Sequence, residues 1–338
     1  MKVLFDIGHP AHVHLFSNAA KILCKRGHSV FFTCREKEFE KELLQHYQFP
    51  FYSFGKKRLS RLGKILTLLS FEWKMLKVAL RFKPDVFVSH GSPYAAHIAF
   101  LTRKRHIAME DTGNMEQVRL YLPFTKFVLT PALFHKSLGP KQIVYNGCHE
   151  LAYLAPKYFQ PNVKILEKLG VTISEKFAVL RFVGWSATHD KNQFGISEGD
   201  REKLIKILEG LGFRVFISSE KPLSADLEGY KLNIHPHEIL DVLGFAHLFV
   251  GEGATMAMEA GILGVRSIFV STIHLGYIDE LCKFEIIKQI IPNTVLTDVS
   301  NAIRSFGNDE ELKIKRDSFL SDKIDVPEFF CEFIESQV

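Results

Sequence analysis

The sequence predicts a two-domain α/β protein, each domain a parallel β-sheet covered by helices on both faces. Three observations lead there. Short apolar runs alternate with helical periods along almost the whole chain, as in repeated β-α units. The apolar runs lack a clean polar/apolar alternation, as expected of strands buried on both faces. The 338 residues suit two domains of roughly 150 residues each.

The elements follow in order. Lys2–Ile7 (KVLFDI) reads as the first strand and His12–Arg26 as a helix closed by Gly27. Ser29–Cys34 is a second strand, Lys37–Tyr47 a helix and Leu59–Phe82 a long basic helix. Asp85–Ser89 is a strand, Pro93–Lys104 a helix, and His106–Met109, Lys126–Leu129 and Gln142–Tyr145 are further strands. Pro140, Pro156 and Pro161 then punctuate the chain, and Asn146–Asn162 reads as the interdomain connection. The second series of strands is Phe177–Phe182, Arg214–Ser218, Leu232–Ile234, His247–Val250, Ser267–Val270 and Glu285–Gln289. Asp325–Val338 reads as a final helix, so the expected division is 1–148, 149–324 and a C-terminal helix over 325–338.

Composition narrows the class. Hydrophobic residues make up 46% and charged residues 24%, values of a soluble globular chain. No 18-residue apolar run free of charge suggests a transmembrane helix, and MKVLFDIGHP lacks a signal-peptide pattern. A cytoplasmic protein is the default expectation. The five cysteines are scattered without a C-x-x-C pair, which argues against a disulfide framework or a zinc site. The net charge of +5 suits an anionic ligand or an acidic membrane surface.

The stretch VGEGATMAMEAGILGV carries the first candidate site. Val250 ends a strand, Gly251-Glu252-Gly253 turns, and Gly253-Ala254-Thr255 opens a helix. Backbone N–H groups at a helix start, with the helix dipole, bind anions, and small residues let a phosphate come close. Glu259 lies four residues beyond Thr255 on the same helix face, where it can accept hydrogen bonds from ribose hydroxyls. The plain alternative is a structural turn with Glu259 as a cap or pair. In open α/β sheets ligands sit at the carboxyl ends of the strands, which places the expected ligand in a cleft between the domains.

The second candidate follows the first strand in IGHPAHVHLF. His9, His12 and His14 cluster there; one can act as a general base, or His9 or His12 can cap the helix. Their spacing suggests metal binding only weakly, and no metal is expected. Gly8 would allow substrate close to the strand end. Two further strand ends offer His90, Gly91 and Ser92 in HGSPYAAH and Glu110, Asp111, Asn114 and Glu116 in MEDTGNMEQVR. Arg181, at the end of another strand, can contact phosphate or pair with a carboxylate. Lys56–Lys83 carries nine Lys or Arg with interleaved Leu, Phe71, Trp73 and Met75, suiting either an anionic lipid surface or an ordinary helix with a solvated basic face. No nucleic-acid motif accompanies that charge.

The Val250–Val265 stretch resembles the C-terminal motif of GT-B nucleotide-sugar enzymes, closest to an uncharacterised GT-B-like family (domain of unknown function 354) over nearly the whole chain. It is also similar, in architecture and a few motifs, to MurG-type glycosyltransferases and UDP-N-acetylglucosamine 2-epimerases. Arg266 stands where these motifs usually have proline, and Glu252 where glycine or serine is common. The resemblance implies two Rossmann-like domains facing across a cleft, with the C-terminal helix packing back. It implies that Gly253, Ala254 and Thr255 hold the diphosphate of a UDP-sugar and Glu259 its ribose. The Ala11-His12-Val13 loop resembles the G-G-H-V-x-P loop of MurG-like enzymes, which makes His12 the base for an acceptor hydroxyl. The expected function is therefore metal-independent glycosyl transfer in surface polysaccharide or glycolipid assembly, with a lipid-linked or polysaccharide acceptor. The alternative is a sugar-nucleotide 2-epimerase. For it, Glu110 resembles the glutamate of an E-A-G-x-R motif, and His189 in ATHDKNQFG the histidine of H-R-x-E-N-x-G, as acid/base groups. A third reading is a nucleotide-sugar binder without catalysis.

Overall fold

The computed structural model describes residues 1–56, 61–184 and 195–337, without the side chains of 61, 62, 64 and 65. The chain divides into two compact units, Met1–Tyr153 with Lys323–Val338, and Leu154–Asp322.

The first unit runs β1 (Lys2–Ile7), α1 (Pro10–Lys25), β2 (Ser29–Cys34), α2 (Glu40–His46), β3 (Phe51–Ser53), α3 (Arg61–Phe82), β4 (Val86–His90), α4 (Pro93–Leu101), β5 (Arg105–Met109), α5 (Met115–Tyr121), β6 (Phe127–Pro131) and β7 (Gln142–Tyr145). Its seven strands are ordered β3-β2-β1-β4-β5-β6-β7 and all pair in parallel. The strand order reverses between β1 and β4, and that switch point is where such sheets bind ligands, at the carboxyl ends. Val3, Leu4, Phe5 and Ile7 are fully buried, as two-sided burial requires. Each such aliphatic or aromatic side chain contributes about 1.5–3 kcal/mol.

A short connection, α6 (Leu151–Leu154), leads on. The second unit holds α7 (Lys164–Leu169), β8 (Phe177–Phe182), α8 (Glu198–Gly210), β9 (Arg214–Ser219), α9 (Ile239–Phe245), β10 (Leu248–Gly251), α10 (Ala254–Leu263), β11 (Arg266–Val270), α11 (Gly276–Lys283), β12 (Ile287–Ile290), α12 (Val295–Arg304) and α13 (Asp309–Leu320). Its five parallel strands are ordered β12-β11-β10-β8-β9, with the switch point between β8 and β10. Leu232–Ile234, expected as a strand, makes only an isolated bridge at its edge, Ile217 to Lys231. Leu180, Leu248, Val250 and Ile268 anchor the core against Leu204, Leu208 and Val299 of α8 and α12.

The last helix, α14 (Val326–Glu335), belongs to the first unit and packs on α1. Cys331 Sγ donates to the Ala19 carbonyl at 3.3 Å, and Arg26 pairs with Glu335 at 2.7 Å and with Glu328. Among the described residues no helix is long and apolar enough to cross a membrane. The outer face of α3 exposes Leu66, Leu69, Trp73 and Leu80, while Phe71, Met75 and Ala79 face the core. Lys57 and Arg58, and the side chains of Arg61 and Lys64, lie outside the described part of the basic segment.

Candidate functional site

The carboxyl end of the first unit's sheet gathers titratable side chains from four strand ends. His9 follows β1 and caps α1, its Nδ1 accepting from the Ala11 N–H at 3.2 Å. Pro10 then occupies the first helical turn, where no N–H is needed. His12, a turn later, accepts from the Gly8 N–H through Nδ1 at 3.3 Å. Its ring stacks on that of His90 at the end of β4, with centroids 4.3 Å apart. β1 and β4 are neighbours only because the sheet reverses there. His14 points the other way, buried against Tyr47 with Nδ1 2.9 Å from its hydroxyl.

Asp111, just past β5, is the hub. Its Oδ1 lies 2.9 Å from His90 Nε2 and its Oδ2 lies 2.9 Å from His149 Nδ1. Burial would raise its pKa, but His149 and His90 hold the carboxyl well below the ordinary value. Burial opposes charge on His90 too, yet the Asp111 carboxylate raises its pKa. His12 goes the opposite way. Burial, then the nearby His90, His9 and Arg35, push it well below the ordinary histidine value, so it is neutral. The donor atoms of His90, Asp111 and His149 all lie within 4.8 Å of one another.

Two expected roles are altered by the geometry. Glu110 does not face this cluster. Its Oε1 accepts from Thr112 N, Thr112 Oγ1 and Gly113 N at 3.0, 2.8 and 2.8 Å, and its Oε2 from the Tyr121 hydroxyl at 2.8 Å. A carboxylate with both oxygens so engaged, and 2% exposed, builds the turn. Gly8 does not open space for substrate. A Cβ there would meet the Arg35 guanidinium, which occupies that side and donates to the Ile7 carbonyl. Ser92 caps α4 and Asn114 caps α5, while Glu116 is exposed.

The second unit's switch point is built of backbone. β10 ends at Gly251, and a Cβ there would sit 2.6 Å from the Phe249 ring and 2.7 Å from Arg181 Cβ, so close packing demands glycine. Gly253 is the extended N-cap of α10, and among the described residues no side chain caps the helix. Glu252 is turned inward. Its Oε2 accepts from Val183 N at 2.8 Å and its Oε1 from Ile196 N at 2.6 Å, so its charge holds backbone on β8's exit. Arg181 pairs instead with Ser218 at 2.9 Å and Glu220 at 2.7 Å. Ala254 and Thr255 form the first turn of α10, and Glu259, a turn on, is buried and already engaged with other groups. Glu238, in the His235–Glu238 loop, accepts from His235 N at 2.7 Å and closes that turn. His189 lies outside the described residues.

His149 is the residue that sequence reasoning passed over as a site group, while Asp111 was offered at a strand end without the hub role it takes here. His149 sits in the proline-flanked connection after β7, and nothing in its spacing marks it. The only sequence signal was the pair of polar residues, Glu110-Asp111, after an apolar strand.

No curated protein matches the chain. Among solved structures the fold is similar to the UDP-GlcNAc 2-epimerase from Neisseria meningitidis bound to UDP-GlcNAc, at 16% identity and TM-score 0.67, over 99% of this chain and 100% of that one. It is also similar to S. aureus MnaA with UDP, at 12% identity and TM-score 0.72, over 99% and 96%. Acinetobacter baumannii MurG matches at 14% identity and TM-score 0.62, over 99% of each chain. The fold class is GT-B, with two parallel-sheet α/β units. The family model described as protein of unknown function (DUF354) matches residues 1–326, and the chain belongs to that family.

Proposed function

We propose that the chain is a nucleotide-sugar-dependent glycosyltransferase of surface polysaccharide or glycolipid assembly, with a UDP-sugar as donor. The observation that carries this reading is the start of α10. Its N-cap is Gly253, and among the described residues no side chain bonds the N–H groups of Ala254, Thr255 and Met256 at this switch point of a parallel sheet, while Glu252 is committed to Val183 and Ile196. In the proposed mechanism the diphosphate rests on those N–H groups, and the helix dipole stabilises the charge it gains on leaving. Glu259 takes the ribose hydroxyls. UDP and UDP-GlcNAc in similar structures support a uridine donor. The acceptor hydroxyl gives its proton to the histidine–carboxylate cluster of the first unit. His12, neutral and already accepting at Nδ1, presents its Nε2–H to substrate as a donor and is not itself the base.

Transfer is preferred over 2-epimerisation because Glu110, the acid/base candidate for the latter, is saturated by the turn it holds. The Lys56–Lys83 face is assigned to an anionic membrane carrying a lipid-linked acceptor. Exposed Leu66, Leu69, Trp73 and Leu80 support it, with Lys77 lying 5.2 Å over the Trp73 ring. One experiment tests both parts: incubation with UDP-GlcNAc and a polyprenyl-linked sugar acceptor in heavy water, with and without phosphatidylglycerol vesicles. The expected result is UDP release that rises with vesicles, with no deuterium at sugar C2. Deuterium at C2 would establish the epimerase instead, and indifference to vesicles would remove the membrane assignment.

A further inference from the structure

We infer that His149 Nε2 is the atom that exchanges the proton with the substrate hydroxyl, with Asp111 and His90 as its positioning residues; this rests on the transfer reading above. The argument is one of counting protons. Asp111, held ionised, can only accept. Its two oxygens each face one ring nitrogen at 2.9 Å, so each ring must bring a proton, His90 at Nε2 and His149 at Nδ1. With that proton at Nδ1, the lone pair of the His149 imidazole lies at Nε2. That atom is buried and has no hydrogen-bond partner among the described residues, although the residue is only 6% exposed. Leaving it so costs free energy unless a ligand partners it. The near-parallel ring of Tyr145, 6.4 Å away, carries a buried hydroxyl that likewise has no hydrogen-bond partner among the described residues. A base oriented through one ring nitrogen by a buried carboxylate, with the other nitrogen presented to substrate, is the arrangement of hydrolase triads.

The neighbouring groups are otherwise committed. His12 and His9 accept backbone N–H groups, His14 faces Tyr47, and Glu110 is saturated. Burial raises the Cys148 thiol and the Tyr145 phenol, so both stay protonated. In the step, the acceptor O–H bond breaks and its proton goes to His149 Nε2. The freed oxygen pair forms the bond to the anomeric carbon, and the bond from that carbon to the diphosphate oxygen breaks with its electrons on the diphosphate. The Asp111 carboxylate stabilises the resulting imidazolium, which later loses its proton to water.

The test is long-range proton–nitrogen NMR of the full chain with nitrogen-15 histidine, in wild type, Asp111→Asn and His149→Gln, the last identifying the signal. At neutral pH His149 is expected to show a protonated Nδ1 and a bare Nε2, a preference lost in Asp111→Asn. Adding UDP-GlcNAc and acceptor should move the Nε2 signal. His149→Gln should lower turnover by about a hundredfold or more, while UDP affinity by calorimetry changes by less than about twofold. A bare Nδ1 with protonated Nε2, or near-normal turnover in His149→Gln, overturns the assignment. So does zinc that displaces the Nδ1 proton and is lost in Asp111→Asn, which would make the three groups a metal site. If UDP fails to bind wild type while His149 shows the expected protons, the nucleotide reading fails and the proton acceptor stands for another hydroxyl substrate.

Discussion

The two sheets end in opposite kinds of chemistry. At the switch point of the first unit, β1, β4, β5 and the segment after β7 bring His9, His12, His90, Asp111 and His149 within contact of one another. At the switch point of the second, β8 and β10 bring glycines, a helix start with a glycine N-cap and a carboxylate turned away. Under the proposed function, one edge moves a proton and the other holds an anion by its backbone. The same parallel topology serves both, because it places whatever follows each strand on one edge. What differs is whether side chains or N–H groups occupy that edge.

The comparison can be broken most strongly at Glu252. Replacing it in Glu252→Ala leaves the Val183 and Ile196 N–H groups without their acceptor, at a cost of about 3 kcal/mol. Denaturant unfolding of the full chain checks this. If the variant is as stable as wild type and binds UDP more tightly, Glu252 faces the ligand and the backbone reading of that edge is wrong.

A smaller effect is a pH dependence of the first unit. His106 is buried between Ser89 and Thr125, and burial pushes its pKa down to about 3. Such a lowered histidine costs nothing above its unfolded value near 6.5 and destabilises progressively below it, because only the unfolded chain takes the proton. At pH 5 this amounts to about 2 kcal/mol. His12, also lowered, adds to the loss. His90, raised, gains its contribution as pH falls and offsets part of it. The Asp111 contribution persists through this window, since a lowered carboxyl loses it only in stronger acid. Denaturation at pH 7 and pH 5 should therefore show the first unit weakening. Equal stability at both would mean these rings are not held neutral.

Much of the architecture was legible in the sequence. Runs such as KVLFDI and FAVLRF form β1 and β8 with the expected bounds, because two-sided burial leaves a continuous apolar signal. Phe51–Ser53 escaped because three residues carry too little pattern, and Leu232–Ile234 was apolar enough to suggest a strand without extended pairing. The glycine turn before α10 was visible because close packing at Gly251 needs a residue type that sequence displays. The grouping of the histidine–carboxylate cluster was not. His90 meets His12 through the β1–β4 pairing, and His149 reaches Asp111 from beyond β7, both consequences of topology rather than spacing. The choice between Glu110 and Asp111 turned on which of two adjacent carboxylates folds back on its own turn.

The central claim, a backbone-built nucleotide site separate in function from a proton-moving cluster, is tested most directly by calorimetric titration of UDP into wild type, Glu259→Ala and Asp111→Asn. Binding to wild type and to Asp111→Asn alike, with most affinity lost in Glu259→Ala, is the predicted result. No binding to wild type, or equal binding to Glu259→Ala, would contradict it and leave Gly251–Glu259 a structural turn.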